Sequence, residues 1–110
     1  MIDWARVTEL EQEIGPDSFA EVVALFLSEV DEALAGLDPD GDRSNLEAQL
    51  HFLKGAALNL GFQDFTALCQ IGETWAAQGL ADQVDLYAII ACFDTSLLHF
   101  QSDLALRRVA

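Results

Sequence analysis

The chain has 110 residues, enough for one domain over residues 1–110 with a single hydrophobic core, and its 52% hydrophobic content argues against disorder. Nineteen acidic residues against five basic ones give a net charge of −14, which makes nucleic-acid backbones and anionic membrane surfaces poor partners. No basic leader precedes an apolar stretch and no apolar run approaches the ~18 residues of a membrane span, so a cytoplasmic, soluble chain is expected.

Apolar residues recur at helical spacing along almost the whole chain. Trp4, Val7, Leu10 and Ile14 predict a short first helix, broken at Gly15-Pro16, where the proline suits the first turn of the next helix. That second helix carries Phe19, Val23, Phe26, Val30, Leu34 and Leu37 and stops at the turn-rich stretch 38–42, DPDGD. A third helix follows, with Asp42 or Ser44 as its cap and Glu47 placed to complete a capping box with Ser44. Its seam is Leu46, Leu50, Leu53, Ala57 and Leu60, and Gly61 ends or kinks it. A fourth helix carries Phe65, Leu68, Gly72 and Trp75 to near Gly79; a fifth carries Leu86, Ile90, Phe93, Leu97, Phe100 and Leu104. No stretch alternates with period two. The expected fold is all-α: an antiparallel four-helix bundle with a short additional N-terminal helix, as a monomer.

On the third helix, at roughly 100° per residue, His51 points roughly 140° away from the leucine seam and into solvent. Lys54 and Gly55, three and four residues on, share its face, as do Glu47 and Leu58. A histidine ordinarily titrates near ~6.5, so an exposed imidazole offers a neutral nucleophilic nitrogen at cytoplasmic pH. Lys54, the sole lysine of the chain, can bring a compact positive charge to a phosphoryl group. Gly55 clears the helix surface where another protein would approach the ring, at a cost of about 1 kcal/mol in helix propensity. Glu47 favours the imidazolium and disfavours an incoming phosphate. Phe52 and Leu58 add apolar surface around the site and suggest a docking patch.

The run 51–61, HFLKGAALNLG, resembles the H-x-L-K-G-[SA]-[SA]-x-x-L-G signature of histidine phosphotransfer (HPt) domains, the four-helix-bundle intermediates of two-component phosphorelays. The likeness extends to FAEVVALFLSEVDEALAGL before the motif and FTALCQIGE after it, so that it covers roughly residues 2–80. The resemblance implies that His51 accepts a phosphoryl group from a receiver-domain aspartate and passes it to another. Lys54 would orient the phosphate, and Gly55 would give clearance. A Gln or Glu on the following helix often lies near the imidazole in this family, and Glu73 falls at that offset. The implied partners are response-regulator receiver domains and a hybrid histidine kinase. Such a domain has no catalytic activity of its own, because the receiver supplies the acidic pocket and its Mg²⁺. No cofactor is implied for this chain.

Other features are read as structural. His99 has neither lysine nor glycine pattern beside it. The alternating carboxylates of 38–42 resemble the start of a calcium loop, but Arg43 and Gln49 stand where that loop needs glycine and glutamate. No metal site is expected. Cys69 and Cys92 read as two buried small hydrophobes. Two other functions fit a bundle of this shape: a receiver-binding module that is never phosphorylated, and the phospho-accepting domain of a split histidine kinase.

Overall fold

A computed structural model describes residues 1–109. The elements are α1 (Trp4–Ile14), α2 (Pro16–Ala35), α3 (Leu46–Asn59), α4 (Gln63–Ala77), a 3₁₀ turn (Ala81–Gln83) and α5 (Leu86–Val109). The fold is all-helical, a four-helix bundle of α2 to α5 with α1 as an additional N-terminal helix. Among the described residues no helix is long and apolar enough to cross a membrane.

Local chemistry accounts for most of the boundaries. Asp3 caps α1 by accepting the Arg6 backbone N–H at 3.2 Å. Gly15, at φ 86°, turns the chain, and Pro16 opens α2 without needing a backbone donor. α2 ends at Ala35, two residues before the expected Leu37, which is nevertheless buried from the following turn. The stretch 38–42 is a turn, held by the Asp40 N–H on Asp38 Oδ1 at 3.0 Å and the Gly41 N–H on the Asp38 carbonyl at 3.1 Å. Arg43 pins this loop to the segment after α4, donating to the carbonyls of Ala81, Val84 and Pro39 at 2.9, 2.7 and 2.9 Å.

The expected capping box does not form. Ser44 spends its hydroxyl and its backbone N–H on Asp42, both at 2.9 Å, so the side chain is turned away from the helix. The same two bonds, the backbone one foremost, hold the Asp42 carboxyl below its ordinary value. α3 instead starts after Asn45, with no side-chain cap.

Leu46, Leu50, Leu53, Ala57 and Leu60 are all buried, as their spacing predicts. Burying each leucine contributes about 1.5–3 kcal/mol, which fixes the rotation of α3 and so the outward face that carries His51. Two seams differ from expectation. In α4, Phe65, Cys69 and Gly72 are buried, but Trp75 is 40% exposed. A side chain at Gly72 would meet Leu50, Val84 and Ile89, so the backbone of α4 is drawn in there and the indole is left on the rim. In α5 the buried stripe is Leu86, Ile89, Phe93, Ser96 and Phe100, with Ile90, Leu97 and Leu104 only half-buried. The stripe lies one residue away from the purely apolar pattern at two places, with Ile89 in place of Ile90 and Ser96 in place of Leu97.

The N-terminal segment closes one end. Its Asp3 N–H donates to the Gly61 carbonyl at 2.7 Å, and Ile2 pairs with Phe62 in an isolated antiparallel bridge. Trp4 stacks on Phe100 with centroids 5.6 Å apart, and the Arg107 guanidinium lies over the Trp4 ring, 4.3 Å from its centroid. Both cysteines are free. Cys69 is buried, which pushes its thiol up to about 12, whereas Cys92 is half-buried rather than buried.

Candidate functional site

α3 and α4 run side by side, and their shared outer face brings together residues from two parts of the sequence. His51 stands on α3 with its side chain 71% exposed, as the helical wheel requires. From α4, Glu73 reaches it: Nδ1 of the imidazole is 2.8 Å from Oε2. The other carboxylate oxygen, Oε1, lies 2.6 Å from Lys54 Nζ. One carboxylate therefore holds the histidine and the lysine together, one oxygen each.

This arrangement fixes the chemistry of the ring. An ionised carboxylate can only accept, so in the neutral ring the pairing puts the proton on Nδ1 and leaves the lone pair on Nε2. Among the described residues Nε2 has no partner, and the side chain is exposed. Glu73 is suited to the task because its side chain is only 15% exposed. The Lys54 ammonium holds its carboxyl below the ordinary carboxylate range; burial opposes this, and the His51 hydrogen bond adds to the lowering. Oε1 is buried and has no hydrogen-bond partner beyond the lysine ion pair.

Lys54 is itself fixed from a second side. It donates to Gln70 Oε1 at 2.9 Å. Gln70 Nε2 donates to Thr74 Oγ1 at 3.1 Å, and that hydroxyl donates back to the Gln70 carbonyl at 3.0 Å. Gln70 and Thr74 carry no signal in the sequence. They lie three residues before and one after Glu73, but only the packing of α4 on α3 shows that this face meets Lys54.

The remaining expected positions surround the pair. A Cβ at Gly55 would find nothing within 4 Å, so the helix surface there is open to an approaching molecule. Phe52 and Leu58 are exposed by 49% and 60% on either side of it. Glu47 is exposed on the same helix, and no hydrogen bond or ion pair joins it to His51. The carboxylate that meets the imidazole is that of Glu73. A groove of about 590 Å³ with mostly apolar walls runs alongside, bordered by Lys54, Gly55, Leu58, Phe62, Ala67 and Gln70. His99 is exposed on α5 and lines a different groove, with Cys92, Ser96 and Asp103. Among the described residues no three histidine, cysteine or acidic side chains are grouped to hold a metal ion.

The sequence-family model described as "Hpt domain" matches residues 21–106, from within α2 to near the end of α5. No curated protein and no solved structure matches the chain.

Proposed function

The chain belongs to the Hpt domain family, whose members carry phosphotransfer in two-component signalling, and on that premise we propose that His51 is the residue that takes and gives the phosphoryl group. In this reading the donor is an aspartyl phosphate on a receiver domain. The Nε2 lone pair attacks phosphorus, the P–O bond to the aspartate breaks, and the electron pair leaves with the carboxylate. Nδ1 keeps its proton throughout, and the Glu73 carboxylate offsets the positive charge that develops on the ring. Lys54 stands one turn away to neutralise the transferred group. Onward transfer to a second receiver is the reverse sequence with a different aspartate.

The observation that carries this proposal is the triple contact: an exposed histidine with one nitrogen bonded to a carboxylate that also binds the lysine. Phe52, Gly55, Leu58 and the adjoining groove give a receiver an apolar landing area, with Glu47 at its edge. The domain then acts as a phosphoryl carrier, with the receiver supplying the catalytic acidic pocket.

The test is incubation with phosphorylated receivers. An acid-labile, alkali-stable phosphoryl group on the wild-type chain, absent from His51→Gln, is the expected result. Labelling that persists in His51→Gln would overturn the assignment, and binding with no transfer to the wild type would reduce the chain to an interaction module.

A further inference from the structure

We propose that Gln70 and Thr74 form a positioning pair that aims Lys54 at the phosphoryl group, an inference that rests on His51 being the phosphorylated residue. Counting hydrogen-bond donors fixes the arrangement. A threonine hydroxyl has a single proton. In Thr74 it is donated to the Gln70 backbone carbonyl at 3.0 Å, so Oγ1 can only accept from the Gln70 side chain. The Gln70 amide is thereby fixed with Nε2 on Thr74, at 3.1 Å, and Oε1 facing α3. That oxygen accepts from Lys54 Nζ at 2.9 Å.

The ammonium has three N–H donors. Gln70 takes one in a hydrogen bond, and the Glu73 carboxylate, 2.6 Å away, holds the nitrogen as an ion pair. Because two anchors on α4 hold the nitrogen, the position of the ammonium is set before any phosphoryl group arrives. A lysine tethered by Glu73 alone would swing about that contact on its flexible four-carbon stem, and a partly ordered donor stabilises a developing charge less than a fixed one. The lysine can therefore serve the phosphoryl group without leaving Glu73, which stays in place for the imidazole. Were the Gln70 amide reversed, its NH₂ would face the ammonium, donor against donor.

Gln70 and Thr74 are both exposed, so truncating them leaves the core untouched. The experiment measures transfer from a phosphorylated receiver that labels His51 in wild type, over a range of receiver concentrations, for Gln70→Ala, Thr74→Val and Thr74→Ser. The expected result is a maximal rate about three- to tenfold lower in Gln70→Ala and Thr74→Val, with an unchanged half-saturating receiver concentration. Thr74→Ser, which keeps the hydroxyl, restores the wild-type rate. Wild-type maximal rates in both Gln70→Ala and Thr74→Val overturn the proposal while leaving His51 as the carrier. A change confined to the half-saturating concentration also overturns it, since Gln70 would then act as a docking residue on the rim of the groove. If no receiver labels His51 at all, the assignment of function falls and this inference falls with it.

Discussion

His51 and Glu73 are 22 residues apart in the sequence and 2.8 Å apart in space, Nδ1 against Oε2. The contact gives the ring a defined tautomer and a nearby negative charge. Glu73→Gln keeps an acceptor for Nδ1–H but removes the charge, and Glu73→Ala removes both. Transfer onto His51 is expected to slow about threefold to tenfold in the first and tenfold or more in the second. Rapid-quench measurement of the phosphorylated chain checks the order; equal rates in the three proteins would deny Glu73 a role in transfer.

The same carboxylate predicts a pH dependence of stability. Its folded-state value lies below the ordinary 4.5, chiefly because of Lys54. A depressed carboxylate stabilises the native state above its unfolded-state value, and that contribution is lost as the pH falls through the folded-state value. The stability difference between wild type and Glu73→Gln should thus be constant near neutral pH and shrink below about 4.5. Urea unfolding of both proteins at pH 7 and in mild acid reads it directly, and a difference that does not change with pH would contradict the assigned ion pair.

Removing Lys54 acts on transfer and on folding through one atom pair. Lys54→Ala leaves Glu73 Oε1 buried without its cation, at a cost of about 1–3 kcal/mol, while the leucine seam beneath is intact. The variant should remain a folded bundle by circular dichroism, melt at a lower temperature than wild type, and accept phosphate about tenfold or more slowly. A transfer rate equal to wild type would remove the lysine from the mechanism.

Two glycines of the motif respond in opposite ways. At Gly55 an added Cβ meets nothing, so Gly55→Ala should stabilise the isolated protein by about 0.5–1 kcal/mol through helix propensity. A bulkier Gly55→Gln should weaken receiver binding with the fold unharmed. At Gly61, where φ is 73°, the Cβ would lie 2.5 Å from the Asp3 carbonyl oxygen. Gly61→Ala should destabilise by about 1–3 kcal/mol, because the obstacle is backbone and the conformation itself is unfavourable for alanine. Thermal melts of the two alanine variants should move in opposite directions.

Periodicity alone was sufficient to place the helices, the core-facing leucines of α3 and the outward direction of His51, Lys54 and Gly55. These are properties of one helix and its amphipathic spacing, and spacing is written in the chain. It was insufficient for the α5 stripe, where Ser96 turns inward, and for Trp75, which Gly72 leaves on the rim. A pattern of apolar residues does not say how close the neighbouring backbone will come. The site shows the same division. Glu47 shares the face of His51 by offset, yet the carboxylate that binds the ring comes from α4. Glu73 was legible only through the family resemblance, and Gln70 with Thr74 was not legible at all. Their part depends on the register of α4 against α3. The packing of Gly72 on Leu50 and the burial of Phe65 and Cys69 set that register, and contacts between residues far apart in the sequence exist only once the two helices have docked.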